Sequence, residues 1–339
     1  MSSERPPPSR RKTAPAPLVQ VEKLSKLFPV RGGLFEKPRF VHAVDGVTLY
    51  VRKGETLGLV GESGCGKSTL GRTMIRLLEP TLGRILFDGR DVTRMLDAEL
   101  RATRRRMQIV FQDPYSSLNP RMTVRDIVGE GISIFDLAKT RADADAQVTA
   151  ILAKVGLGPE VLGRYPHEFS GGQRQRIGIA RALAVGPDFM ICDEPVSALD
   201  VSVQAQILNL LEQLQDELGL SMLFISHDLR VIQYVSHRTA VMYLGQIVEM
   251  GPTPAVAEKR HHPYTRALWS AMPEIEESGK KRLVVQGEPP SALDPPKGCV
   301  FHPRCPRAEK GKCDVEAPVL EELLPGSHHR VACWHPELS

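Results

Sequence analysis

An apolar run at positions 56–60, TLGLV, passes directly into Gly61-Glu62-Ser63-Gly64-Cys65-Gly66-Lys67-Ser68, and Thr69 then opens a helix-length stretch to position 78. This is the pattern G-x-x-x-x-G-K-[ST] in its required setting of strand, loop and helix. The glycines let backbone N–H groups turn inward on phosphate oxygens, and the helix N-terminus adds a favourable dipole. Lys67 has the charge to meet β- and γ-phosphates, and Ser68 a hydroxyl for Mg²⁺. The pattern predicts an α/β core that binds a nucleoside triphosphate, without separating kinase, GTPase and ATPase. It occurs once, and no internal repeat is present, so a second copy of the machinery has to come from another chain.

Further short β-branched or apolar runs recur at 18–21, 47–51, 85–87, 109–111, 189–192, 222–225, 240–244 and 247–250, several of them alternating with helix-length stretches. Between about 114 and 170 strand signals fade, and 124–155 reads as helix, which suggests a helical subdomain inserted in the α/β core. The run at 189–192 ends in Asp193-Glu194, placing two carboxylates at the carboxyl end of a core strand, where α/β sheets bind ligands. Asp193 is suited to hold Mg²⁺, and Glu194 to orient and polarise an attacking water. A further apolar run, 222–225, is followed by Ser226-His227-Asp228.

With these in order, Gln112 after 109–111, Phe169-Ser170-Gly171-Gly172-Gln173 ahead of a helix, and Glu194-Pro195-Val196-Ser197-Ala198-Leu199-Asp200, residues 18–275 resemble the ATPase domain of ABC proteins. The resemblance implies a P-loop NTPase core with an antiparallel β subdomain. It makes Gln112 the Q-loop glutamine that senses Mg²⁺ and the membrane subunits, and Asp200 part of the D-loop. It makes His227 the switch histidine and residues 170–173 the signature that caps the γ-phosphate held by the opposite subunit. Phe28 matches the aromatic on which adenine stacks, with 31–40 lengthening the connection behind it. The signature is physically a second phosphate clamp, since a Ser hydroxyl and glycine N–H groups at a helix start form an anion site.

The runs GESGCGK at 61–67, VFQDPYSSLNPR at 110–121 and HPYTRALWSAMP at 262–273 are similar to those of oligopeptide/dipeptide importer ATPases of the F type. That implies import of peptides, two integral membrane permease subunits, an extracytoplasmic substrate-binding protein and a second, different ATPase subunit. An importer for nickel, glutathione or another solute is an alternative. A soluble ABC ATPase acting on nucleic acid or ribosomes is the rival class, and its usual coiled-coil or zinc-module insertions are missing. The 44 Lys+Arg against 40 Asp+Glu leave +4, too little for a nucleic-acid partner, and Arg101, Arg104, Arg105 and Arg106 read as a solvated helix face.

No run approaches about 18 consecutive apolar residues and the start lacks an apolar h-region, so the expected location is the cytoplasmic face of the membrane. Residues 1–17, rich in Pro, Ser and Arg, read as a disordered arm. The C-terminal region, 276–339, carries four of the six cysteines, Cys299, Cys305, Cys313 and Cys333, beyond a proline-rich linker at 289–298. Four thiolates suffice for a tetrahedral zinc or a [4Fe–4S] cluster, and unligated thiols remain a third reading; the family resemblance implies the cluster. His302, His328, His329 and His335 are substitute ligands. Distant in sequence from the phosphate loop, this small lobe is expected to need a metal staple, whose loss loosens the lobe and subunit assembly more than ATP binding.

Overall fold

The computed structural model describes residues 16–30, 38–271 and 287–337. The arm expected at 1–17 lies outside the described residues but for its last two. Two long strands, β1 (Pro17–Val30) and β2 (Arg39–Arg52), lead to β3 (Thr56–Val60), the phosphate loop and helix α1 (Lys67–Met74). There follow β4 (Leu82–Phe87), β5 (Arg90–Asp91), α2 (Asp97–Arg105) and β6 (Met107–Val110). A helical stretch contains α3 (Pro114–Ser117), α4 (Val124–Ile134), α5 (Arg141–Lys154) and α6 (Gly171–Leu183). The core resumes with β7 (Phe189–Asp193), α7 (Val201–Leu218), β8 (Ser221–Ser226), α8 (Leu229–Val235), β9 (Arg238–Tyr243) and β10 (Gln246–Pro252). Helices α9 (Thr253–Lys259) and α10 (Pro263–Ser270) and the two-residue strands β11 (Glu321–Glu322) and β12 (Arg330–Val331) complete the chain.

The strands form two sheets, an antiparallel one in the order β2-β1-β4-β5 and a larger one in the order β11-β12-β10-β9-β3-β8-β7-β6. In the larger sheet β9, β3, β8, β7 and β6 run parallel, and the remaining pairings are antiparallel. Successive residues of its parallel strands bury into opposite cores, as a strand covered on both faces requires. Met190 and Cys192 of β7, Met222 and Phe224 of β8, and Val241 and Tyr243 of β9 pack into the cluster containing the helical stretch. Their neighbours Phe189, Ile191, Leu223, Ile225, Ala240 and Met242 pack into a second cluster with α1 and the antiparallel sheet.

The segment read as one helix over 124–155 is two. α4 ends at Ile134, and α5 restarts at a Thr140 side-chain cap that accepts from the Asp143 amide. Arg101 and Arg105 are exposed and Arg104 and Arg106 partly so, as expected of a solvated face, and each also has a partner. Arg101 donates to the Ile134 carbonyl and Arg105 to that of Val185; Arg104 donates to the carbonyl of Arg76. Arg106 pairs with Asp88 and Asp188. The first three satisfy carbonyl groups left over where helices end.

The C-terminal region is built into the core sheet. β12 pairs with β10, Val331 opposite Glu249, and Glu249 is fully buried. Its carboxylate accepts from the amides of His261 and His262, each at 2.9 Å, and meets Nε2 of His329 at 2.8 Å. Burial works to raise the carboxyl's pKa, but His329 and the amides outweigh it and hold the group below the ordinary range. Beside it His262, 1% exposed, caps α10 with Nδ1, which accepts from the Tyr264 amide at 3.0 Å. Burial pushes its pKa down to about 4, against a partial counter-pull from Glu249.

That shift fixes a pH dependence. The unfolded chain takes up a proton on this imidazole near pH 6.5, while the folded chain keeps it neutral down to about 4, so stability falls as pH drops through that window. At pH 5 the loss from this residue is about 2 kcal/mol, 1.5 units at roughly 1.4 kcal/mol each. His262→Asn keeps an acceptor for the cap and removes the titration. Urea denaturation at pH 7 and pH 5 is expected to show a smaller drop for the variant than for the parent.

Candidate functional site

Four strand ends meet at one edge of the parallel sheet. Val60 sits opposite Ser226, Asp193 opposite Ile225, and Val110 opposite Cys192, so the loops after β3, β8, β7 and β6 open side by side. Between them lies a cavity of about 470 Å³, lined among others by Ser63, Gly64, Gly66, Lys67, Ser68, Thr69, Gln112, Glu194 and His227. That volume suits a small ligand such as a nucleotide.

The phosphate loop has its shape because no side chain fits at two of its glycines. A Cβ on Gly61 would come within 2.1 Å of the Met242 carbonyl, and one on Gly66, at φ +106°, within 2.0 Å of that of Ala43. Lys67 is buried, with Nζ donating to the carbonyls of Gly61 at 2.7 Å and Glu62 at 2.9 Å. Cys65 lies beneath the loop and does not line the cavity; burial pushes its thiol pKa up, only partly offset by Lys67.

Ser68 Oγ donates to Asp193 Oδ1 at 2.7 Å, and Arg72, one turn on along α1, reaches Oδ2 at 3.3 Å. A hydroxyl and a carboxylate side by side are hard oxygen donors of the kind Mg²⁺ takes. Glu194, the next residue, has φ +48°, a left-handed conformation costing about 1 kcal/mol for a side chain of this kind. The turn is held by its amide bond to the Ile225 carbonyl and by the Ser197 hydroxyl on its own carbonyl. Strain kept in place this way is common at functional sites. Here it aims the carboxylate at Gln112, whose Nε2 donates to Oε2 at 2.9 Å, and at His227, whose Nδ1 lies 3.2 Å from the same oxygen. Gln112 therefore reaches Glu194 and not the Ser68–Asp193 pair.

Phe28 does not line the cavity. Its cross-strand partner Val41 does, with Ala43 and Ala292, while the Phe28 ring carries the Lys26 ammonium 5.0 Å from its centroid. Ser170, Gly171, Gly172, Gln173 and Asp200 stand apart from the cavity as well. Ser170 and Gln173 form a reciprocal cap on α6, and Asp200 caps α7. The two caps are neighbours, since a Cβ on Gly172 would strike Val203 at 2.4 Å and one on Gly171 would touch Leu199 at 3.2 Å.

Cys299, Cys305, Cys313 and Cys333 line one small pocket with His302 and His335 and form no disulfide. Burial raises the thiol pKa of Cys299 and Cys305, and that of Cys333 to about 11, with the other three cysteines adding to it. Yet among the described residues no three His, Cys, Asp or Glu side chains close into a group that could hold a metal ion. The expected metal tail is thus gathered but not arranged as ligands. Of the substitutes, His329 is engaged by Glu249 and His328 faces Glu322.

Two family models match the chain: the ABC transporter over residues 44–197, and the oligopeptide/dipeptide transporter C-terminal region over 248–313. The oligopeptide transport ATP-binding protein AppF of Bacillus subtilis is 52% identical over 321 residues, covering 93% of this chain and 96% of its own. This chain belongs to the family of ABC transporter ATP-binding proteins. A probable peptide ABC transporter ATP-binding protein of Sinorhizobium fredii is 53% identical, covering 93% of this chain and 89% of its own. Among solved structures, the dimeric ATP-binding cassette MJ0796 in a post-hydrolysis state with ADP and Pi matches at a TM-score of 0.62 and 28% identity. The match covers 69% of this chain and 98% of that one. CbiO1 of Clostridium perfringens, part of an ABC transporter complex, matches at 0.61 and 28%, covering 72% and 92%. The fold is that of an ABC cassette, and the activity is ATP hydrolysis.

Sequence reading missed Arg72, Val41, Ala43 and Ala292. Arg72 was within reach of it, since position i+4 from Ser68 shares a helix face; the other three carry no chemical signature.

If Lys67 is the phosphate ligand that its motif predicts, Lys67→Ala removes a charge that meets phosphates already in the ground state. ATP affinity measured by titration calorimetry is expected to fall by about 2 kcal/mol, roughly 30-fold.

Proposed function

We propose that this chain is the ATP-hydrolysing subunit that energises uptake of oligopeptides or dipeptides through a membrane ABC importer. The observation carrying this reading is that an ABC-type cavity and an oligopeptide/dipeptide transporter C-terminal region occur in one chain. Relatives about half identical over 93% of its length bear peptide-transport names. Among the described residues no helix is long and apolar enough to cross a membrane. The reading therefore includes two permease subunits, an extracytoplasmic substrate-binding protein, a second ATPase subunit and a place at the cytoplasmic face of the inner membrane.

In this reading the amides of residues 63–69 and the Lys67 ammonium hold the phosphates, and Ser68 and Asp193 would hold Mg²⁺, which would supply charge neutralisation there. Glu194 orients the water that attacks the γ-phosphorus, and His227 and Gln112 fix the Glu194 carboxylate. Ser170, Gly171, Gly172, Gln173 and Asp200, away from the cavity of their own chain, act on the nucleotide of the opposite subunit.

Uptake of a labelled peptide by cells tests the reading. Deletion of the gene is expected to abolish uptake, and the parent chain to restore it. Glu194→Gln is expected to bind ATP normally yet hydrolyse it at least about 100-fold more slowly and give no uptake, because only the water-orienting carboxylate is lost. Intact peptide uptake in the deletion strain overturns the proposal.

We further propose a metal staple at the four gathered thiols, a [4Fe–4S] cluster before zinc, which requires their side chains to turn from the arrangement seen here toward a common centre. Anaerobically purified protein is then expected to be brown and to contain about four irons per chain; stoichiometric zinc without iron overturns the cluster.

A further inference from the structure

Glu62 follows the first glycine of the phosphate loop, at a position the nucleotide-binding pattern leaves open. Two residues of the matched stretch 248–313 grip it. Its amide donates to the Tyr264 hydroxyl at 2.9 Å, and Tyr264 is fully buried, with ring centroids 5.4 Å from Phe301 and 4.6 Å from Tyr243. Its carboxylate receives Arg304, whose Nη1 lies 3.0 and 3.2 Å from the two oxygens and whose Nη2 lies 3.2 Å from Oε1. The Arg304 side chain is 8% exposed and that of Glu62 28%. A forked, charge-assisted contact between partly sheltered groups fixes geometry better than a surface ion pair does.

Phe301 and Arg304 both lie between Cys299 and Cys305, in a tight turn where the His302 amide donates to Cys299 and the Arg304 amide to Phe301. The Cys299 amide is tied to the Cys313 carbonyl at 2.8 Å. Upstream, the Ala292 carbonyl accepts from the His42 amide at 2.8 Å, and Ala292 lines the nucleotide cavity. One segment therefore restrains the phosphate loop at residue 62 and walls the cavity at residue 292.

The rest of the loop shows why this restraint counts. Gly61 and Gly66 are pinned by backbone against which no Cβ fits, whereas a Cβ on Gly64 would meet nothing within 4 Å. The Glu62 carbonyl is also one of the two that Lys67 Nζ contacts, so its position governs where that ammonium starts from when phosphate arrives.

We infer that Arg304 is a positioning residue of the nucleotide site: by holding Glu62 it keeps the phosphate loop in its binding shape, so that the fold of the cysteine-bearing segment sets ATP affinity. The inference rests on reading this loop as the ATP site. It is independent of the transported solute and of any metal at the thiols.

The experiment is ATP titration of the full-length chain, comparing the parent with Arg304→Ala, Arg304→Lys, Glu62→Gln and the double variant Arg304→Ala/Glu62→Gln. Loss of a sheltered charged contact is expected to weaken ATP binding by about tenfold in Arg304→Ala and in Glu62→Gln. Arg304→Lys recovers part of the loss, and the double variant is no worse than either single one, because both remove the same contact. In the assembled transporter the KM for ATP rises more than kcat falls. Unchanged affinity in Arg304→Ala overturns the inference, as do penalties that add in the double variant. If Arg304→Ala does not fold, Glu62→Gln decides alone, and unchanged affinity there overturns it equally. A parent chain that fails to bind ATP refutes the nucleotide-site reading itself.

Discussion

The parallel register of β3, β8, β7 and β6 is the constraint on which the rest depends. Those strands end within two residues of one another, so the phosphate loop, His227, the Asp193-Glu194 pair and Gln112 emerge together although they are spread over more than a hundred residues. Parallel strands must be covered on both faces. The two apolar clusters supply that cover, and their rigidity lets Glu194 keep a strained backbone and a fixed aim.

A second constraint is the burial of charge where the C-terminal region meets the core. Glu249 is fully buried and is tolerated only because amides of His261 and His262 and the ring of His329 surround it. Arg304 and Glu62 repeat the arrangement closer to the phosphate loop. Such contacts demand defined geometry, so the cysteine-bearing segment cannot shift without displacing residues that touch the nucleotide cavity. Sequence distance from the phosphate loop says nothing about the path of a chain that adds strands to its own core sheet.

Residues 170–173 and Asp200 illustrate a different logic. They cap neighbouring helices and pack against one another, away from the cavity their own chain forms. Their hydroxyl, amide and carboxylate groups are spent on helix ends, where four amides otherwise lack partners, and this builds a rigid polar face.

The sequence alone determined the family, the phosphate-loop pattern and the acidic strand end. Glycines at 61, 64 and 66, Lys67, Ser68, and an acidic pair after an apolar run are local requirements with residue types that nothing else replaces, and the apolar runs announced the core strands for the same reason. Only the tertiary structure decided that Val41, Ala43 and Ala292 line the cavity, that Phe28 does not, and that Gln112 reaches Glu194. It alone split 124–155 into two helices, turned the arginines of α2 onto helix-end carbonyls, and brought four thiols to one pocket without arranging them as ligands. Those outcomes depend on which backbone passes nearby, and pairing between strands and segments far apart in the chain leaves no periodic or compositional trace at the residues that it brings together.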